Sequence, residues 1–231
     1  MPTTKPRAAL KTAIYEQIAR LGKAAASPSR LELLDLLSQG ARTVEALAHE
    51  AGQSVSTTSH HLQVLRRARL VDAQKAGVYV TYRLADAQVG VFFLHLRSLA
   101  ESRLAEVEAV TRQYLEERGV LEAVRTGELV KRVRAGDVTL IDVRPREEYR
   151  AGHLPGAISL PLADLKKRQR QLPGTRDVVA YCRGPYCVMA LDAVEILRRR
   201  GLRAHRLELG VPEWRAHGWR VETGDDRLAA S

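Results

Sequence analysis

Both cysteines of the 231-residue chain fall in one short stretch, Val179-Ala-Tyr-Cys182-Arg-Gly-Pro-Tyr-Cys187-Val-Met-Ala190. The apolar run Val178 to Ala180 reads as a buried strand, and Met189 to Arg200 carries a helical pattern. Cys182 therefore stands between a strand end and a helix start. Unpaired backbone N–H groups converge there and the helix dipole is positive. Such a setting is expected to lower a thiol pKa and favour thiolate, the reactive form. A structural cysteine would be expected inside an apolar run. Cys182 is the candidate nucleophile, and Arg183, Gly184, Pro185, Tyr186 and Val188 form its loop.

The elements that must position this loop are bounded first by bulk composition. The length suits one large domain or two small ones, and 45% apolar content supplies packed cores. No apolar run is long enough for a membrane span. The opening Met-Pro-Thr-Thr-Lys-Pro-Arg lacks an apolar segment of the signal-peptide type. Two cysteines in so long a chain are no disulfide scaffold, so a reducing cytoplasm is expected. The net charge of +10 permits a nucleic-acid partner. It is spread over both halves and so does not locate one.

Leu10, Ile14, Ile18 and Leu21 predict an amphipathic helix over 8–25. Ser27-Pro28 reads as an N-cap with proline at the first helical position, opening a leucine-rich helix that Gly40 stops. A short helix over 43–51, a Gly52-Gln53 turn and a helix over 54–67 follow. The last opens with Ser54-Val-Ser-Thr-Thr-Ser-His-His61, a poor helix former but a dense row of small donors and acceptors. Such a row at a helix N-terminus suits phosphates and base edges in a major groove. Short helix, glycine turn and polar-started helix make a helix-turn-helix pattern. Two Val- and Tyr-rich strands, 70–74 and 78–84, joined at Lys75-Ala76-Gly77, read as a wing. The candidate DNA contacts are Gln53, Ser54, Ser56, Thr57, Ser59, His60, Gln63 and Arg66, with Lys75 and Arg83 from the wing. A helical pattern then runs from Asp86 to about Arg118, ~45 Å at the standard rise. Its apolar stripe is too long for so small a domain to cover, and a two-fold partner would cover it.

Residues 8–118 resemble a winged-helix repressor of the ArsR/SmtB family, most strongly in Val55-Ser-Thr-Thr-Ser-His-His-Leu-Gln-Val-Leu65 and Tyr79-Val-Thr-Tyr-Arg-Leu84. The resemblance implies a homodimer on double-stranded operator DNA that an inducer, often a metal ion, releases. The family's thiol metal site needs cysteines in the third helix, and 43–51 has none. Its other site needs paired Asp and His on the last helix, and Asp86 and His95 lack that spacing. His60 and His61 are adjacent and point apart. No metal and no cofactor is expected.

In the second half, helices over 128–135, 164–171 and 189–200 alternate with strands over 138–143, 158–160, 177–181 and 203–207. That order implies a doubly wound α/β sheet with its site beyond the strands' carboxyl ends, where Cys182 falls. Residues 121–221 resemble the rhodanese family through Leu140-Ile-Asp-Val-Arg144, Glu147-Glu-Tyr149, Gly152-His-Leu-Pro-Gly-Ala157 and Tyr181-Cys-Arg-Gly184. The resemblance implies that Cys182 accepts a sulfane sulfur as a persulfide, with Asp142 and Arg144 as supporting acid and base. His153 is read as holding its loop and Trp214 as core. Where rhodanese relatives and the related phosphatases carry arginine, this chain has Cys187 and Val188. The phosphate dianion then lacks its bidentate partner, which disfavours phosphate-ester chemistry. Cys187 is either a resolving thiol that attacks a modified Cys182, or a small buried apolar residue.

The expectation is a multidomain chain: a mainly α winged helix over 1–119, then an α/β rhodanese-like domain over 120–231. Its expected function is a DNA-binding repressor that senses sulfane sulfur or another small thiol-reactive oxidant through Cys182. The alternative is a thiosulfate sulfurtransferase located or regulated by a DNA-binding domain.

Overall fold

The structure, a computed structural model, describes residues 4–117, 126–168, 172 and 176–225. Two compact units emerge, Met1–Phe93 and Leu94–Ser231. The expected domain boundary at 119/120, the connection over 120–125 and the end of the helix expected to reach Gln171 lie outside the described residues.

The first unit holds α1 (Thr4–Ala25), α2 (Pro28–Ser38), β1 (Arg42–Thr43), α3 (Val44–Glu50), α4 (Val55–Arg67), β2 (Val71–Ala76) and β3 (Tyr79–Leu84). It is a winged helix-turn-helix. Leu33, Leu34, Leu36 and Leu37 of α2 are all buried, as a helix that is leucine on most sides requires. They form one core with Leu47 of α3, Leu62 and Leu65 of α4, Val71 and Tyr82. The three strands lie antiparallel in the order β1-β3-β2. The two-residue β1 was not expected, because Thr43 serves two elements. Its backbone pairs with Thr81, while its Oγ1 accepts a 3.3 Å bond from Ala46 N as the cap of α3. β2 continues through Lys75 and Ala76, so the wing tip is Gly77-Val78, with Gly77 at φ 61. α4 ends with Arg69 in the left-handed region, φ 60, and Leu70 N bonded to Leu65 O at 3.0 Å. That closure usually takes glycine.

The helix expected over 86–118 is two helices, α5 (Ala87–Arg103) and α6 (Ala105–Glu117). Leu104 N still bonds to Ala100 O at 2.8 Å, but Val107 N turns to Leu104 O at 3.1 Å and starts a new helix. Glu106 and Glu108 in its first turn suit the positive end of a fresh dipole. No glycine or proline marks the break. α5 gives Val89 and Phe93 to the first core and continues into the second unit.

That unit also holds α7 (Thr126–Ala135), β4 (Thr139–Asp142), α8 (Arg146–Ala151), β5 (Ile158–Ser159), α9 (Leu162–Arg168), β6 (Val178–Tyr181), α10 (Met189–Arg198), β7 (Ala204–Leu207) and α11 (Val211–Ala216). All strand pairings are parallel, in the order β5-β4-β6-β7. The strand period of two sorts β6 into two layers. Val179 and Tyr181 pack with Leu129, Val133, Leu207 and Trp214; Val178 and Ala180 pack with Leu165, Val194 and Leu197. Helices cover both faces, so the sheet is doubly wound. From β4 the chain steps outward to β5 and returns to β6 on the other side of β4. The carboxyl ends of β4 and β6 therefore flank the topological switch point, where such sheets bind their ligands. Asp142 ends one of these strands, and Cys182 follows the other.

Candidate functional site

Every member of the cysteine loop is held by a named partner. Arg183 donates to both oxygens of Glu148, from Nη2 at 2.7 Å and from Nε at 3.1 and 3.2 Å. Glu148 is itself buried on α8. Gly184, at φ 146, lies against Glu213; a Cβ there would meet Glu213 Oε1 at 3.2 Å. Pro185 O accepts from Arg206 Nη1 at 3.0 Å. Tyr186 OH donates to Glu101 Oε1 at 2.7 Å. Cys187 N donates to Gly184 O at 3.2 Å, closing the turn, and Val188 is the N-cap residue of α10, its O accepting from Asp192 N at 3.1 Å.

Within this frame Cys182 is 1% exposed and Cys187 is half-buried. Cys182 Sγ donates to Cys187 O at 3.3 Å, which sets the two thiols side by side in the loop. Burial pushes the Cys182 thiol up, and the Cys187 neighbour adds to the rise. The Cys182 side chain brings Cys187 down to about 7, against burial and with help from the Arg183 and Met189 backbone. The expected lowering of the Cys182 pKa is thus corrected. The loop amides act, but Cys182 sits too deep for them to outweigh desolvation, so the pair's first proton leaves from Cys187.

Asp142 and Arg144 form a fully buried pair. Arg144 Nη2 donates to Asp142 Oδ2 at 2.6 Å and Nε to Oδ1 at 3.0 Å. A further bond from Nη2 reaches Gly152 O at 2.7 Å. Tyr181 OH donates to Asp142 Oδ2 at 2.6 Å and accepts from Leu154 N at 3.0 Å. This network ties the ends of β4 and β6 to the Gly152–Ala157 loop. Burial opposes the charge of Arg144, but Asp142 more than offsets it and the guanidinium stays ionised. His153 is buried, stacks on Tyr149 at 3.7 Å and holds its Nδ1 2.8 Å from Tyr149 O. It braces its own loop. Trp214 is core and donates from Nε1 to Arg220 O at 3.0 Å.

Glu148, Glu213 and Arg206 were not singled out as site residues from sequence, nor were Arg97 and Glu101. Glu213 had a local signal: it stands three residues after Gly210, the spacing of a capping box, and its Oε2 accepts from Gly210 N at 2.7 Å. Arg97 and Glu101 had none, because their partners are distant in sequence.

In the first unit, Thr58, Leu62 and Leu65 form the buried face of α4. Ser56, His60 and Gln63 lie on the opposite, exposed side, at helical spacing. Ser54, Thr57, Arg66, Lys75 and Arg83 are exposed too; Gln53 and Ser59 are half-buried. Ser54 Oγ accepts from Thr57 N at 3.1 Å, so this pair caps the helix as well as facing outward. Arg83 Nη2 lies 3.3 Å from Asp72 Oδ2. Thr58, inside the polar row, faces the core.

Comparison with known proteins joins the two halves. Residues 27–73 match the arsR family of bacterial regulatory proteins, and residues 126–217 match the rhodanese-like domain. An HTH-type transcriptional regulator of Mycobacterium tuberculosis, Rv0324, is 46% identical over 214 residues, which cover 93% of this chain and 94% of that protein. The chain belongs to the ArsR family of DNA-binding regulators, in a form fused to a rhodanese-like domain. Two partial relatives match one half each. The HTH-type regulator NmtR of M. tuberculosis is 39% identical over 37% of this chain and 71% of its own. A sulfurtransferase of Allochromatium vinosum is 35% identical over 36% of this chain and 76% of its own. Among the described residues, no helix of this ArsR-family regulator is long and apolar enough to cross a membrane.

Proposed function

We propose that this regulator is a homodimeric repressor whose affinity for operator DNA is set by sulfane sulfur arriving at Cys182, with Cys187 as resolving thiol. The observation that carries this reading is the thiol pair itself: Cys182 buried at the sheet's switch point, its Sγ 3.3 Å from the backbone oxygen of a half-buried Cys187 of lowered pKa. A DNA-reading unit in the same chain gives that chemistry a readout. The two thiols titrate as a pair, so the one remaining proton can reside on either sulfur.

With the negative charge on Cys182, its sulfur attacks the sulfane sulfur of a persulfide, polysulfide or thiosulfate. The donor's S–S bond breaks, and the leaving thiolate or sulfite takes the electron pair. Cys182 now carries a terminal sulfur anion. Cys187 then attacks Cys182 Sγ, the bond from Sγ to the terminal sulfur breaks, and hydrosulfide leaves with the proton from Cys187. The product is a Cys182–Cys187 disulfide. Both cysteines lie on one loop, with Cys182 Sγ 3.3 Å from Cys187 O, so the second step needs no distant partner.

The dimer rests on apolar surface. Leu10, Ile14, Ile18 and Leu21 of α1 are exposed, and so are Leu99 of α5, Leu104 at the break and Val110 of α6. A two-fold partner would bury such stripes and present two α4 helices to successive half-sites. The exposed row Ser56, His60 and Gln63, flanked by Gln53, Ser54, Thr57, Ser59 and Arg66, faces the bases and nearby phosphates. Lys75 and Arg83 reach the backbone from the wing.

Intact-mass measurement after treatment with sodium tetrasulfide tests the chemistry. Wild type should gain sulfur and then settle two hydrogens lighter than the starting protein, and Cys182→Ser should form no intraloop disulfide. Wild type left unmodified by tetrasulfide overturns the reading.

A further inference from the structure

We infer that Arg97 and Glu101 of α5 are positioning residues of the cysteine loop, and that α5 carries the loop's covalent state toward the DNA-binding unit. The second half of this inference rests on the sulfur-sensing reading; the first does not.

Arg97 and Glu101 lie one turn apart, on one face of α5. Arg97 Nη2 donates to Glu213 Oε1 at 2.5 Å, and Arg97 Nε lies 3.5 Å from Glu101 Oε1. Glu101 Oε1 accepts the Tyr186 hydroxyl at 2.7 Å, and the Arg97 guanidinium sits 5.9 Å from the Tyr186 ring centre. Glu213 extends the chain of contacts inward. Its side chain is 9% exposed, its Oε2 receives Gly210 N, and its carboxylate fills the space where Gly184 has no Cβ. Gly210 in turn approaches Arg183 O so closely that a Cβ would lie 2.4 Å from it.

The helix thus holds the loop at two points. One, through Glu213, is Gly184, two residues after Cys182. The other, through Glu101, is Tyr186, the residue before Cys187. A persulfide adds an atom between these points, and a disulfide draws them together. Either product changes the distance between two groups tied to successive turns of one helix. The same helix, one turn earlier, places Phe93 in the core that also holds Leu62 and Leu65 of α4. A loop state that favours a different seat for Arg97 or Glu101 therefore biases the helix on which Phe93 is fixed. The coupling requires that the two loop states differ in these contacts.

The test uses full-length protein and the variants Arg97→Gln, Glu101→Gln and Tyr186→Phe, with Arg97→Lys as the conservative control. Two quantities are read: the pH profile of Cys187 alkylation by iodoacetamide, and the change in DNA affinity caused by sodium tetrasulfide. A loosened loop parts the two thiols, so the alkylation midpoint of Arg97→Gln and Glu101→Gln should move up by about one pH unit. Their tetrasulfide response should shrink about tenfold, while Arg97→Lys stays near wild type. Tyr186→Phe removes only a hydroxyl from a half-exposed ring, so it reports on the tie to Glu101 without threatening the fold.

Variants with the wild-type pH profile and the wild-type tetrasulfide response overturn the inference. Shifted profiles combined with a wild-type DNA affinity indifferent to tetrasulfide retain the positioning role and end the sensor reading instead.

Discussion

Tyr181 and Asp142 end neighbouring parallel strands, and the Tyr181 hydroxyl donates to Asp142 Oδ2 at 2.6 Å. Asp142 also receives the Arg144 fork, and all three side chains are shut off from solvent. One carboxylate thus fixes the end of the strand that leads into Cys182.

Removing that carboxylate takes the bidentate partner from the buried Arg144 guanidinium. Asp142→Ala should destabilise the second unit by about 3–5 kcal/mol. Tyr181→Phe, which takes one donor from Asp142 and leaves the buried Leu154 N–H without its acceptor, should cost about 1–3 kcal/mol. Trp214 and Trp219, the only tryptophans of the chain, both belong to this unit. Urea unfolding followed by their fluorescence reads it alone. Equal midpoints for Asp142→Ala and wild type would show that the network is not structural.

Gly210→Ala forces a methyl to within 2.4 Å of Arg183 O. The obstacle is backbone, so the cysteine loop must shift. The expected cost is about 1–3 kcal/mol, with Cys187 alkylation changed several-fold. A stable variant with unaltered alkylation would mean that the close approach does not set the loop.

Ionisation of the thiol pair gives the alkylation rate a defined pH course. Thiolate is the reacting form, so the rate rises with pH as the first proton leaves, and it should be half-maximal near 7. Cys182→Ala removes the thiol that lowers Cys187, and its midpoint should move up toward the ordinary thiol range. Rates measured between pH 5.5 and 9.5, roughly spanning the shifted and ordinary thiol ranges, decide this. A wild-type midpoint at the ordinary value would contradict the lowering of Cys187 by Cys182.

On the DNA side, Gln63→Ala on the exposed face of α4 should weaken binding to a preferred sequence by about 1–3 kcal/mol and relax its specificity. Lys75→Ala on the wing should weaken binding to all sequences alike and reduce the salt slope by about one ion. Fluorescence anisotropy across a salt series separates the two. If Gln63→Ala weakened every sequence equally, α4 would not be reading bases.

Local pattern made much of this fold legible. The leucines of α2, the polar opening of α4 and the apolar strand before Cys182 all signal their structure in a few residues. The break at Leu104 was not legible, because hydrogen-bond geometry makes it without glycine or proline. β1 was hidden because Thr43, which reads as the first residue of a helix over 43–51, both caps α3 and pairs with β3. At the site, the loop and the Asp142–Arg144 pair were legible as a set. The thiol ionisation was not, since position at a helix start argues for a low Cys182 pKa and depth of burial reverses it. Arg97 and Glu101 could not be found from sequence, since each acts on a partner at least 85 positions away.

The most direct measurement is a DNA-binding titration of reduced wild type and Cys182→Ser, each with and without sodium tetrasulfide. The DNA would be a fragment selected by the reduced protein from a random pool. The account predicts that tetrasulfide weakens wild-type binding by at least about tenfold, within the usual range of allosteric coupling, and leaves Cys182→Ser unchanged. Unchanged wild-type affinity, with Cys182 shown by mass to be modified, would contradict it.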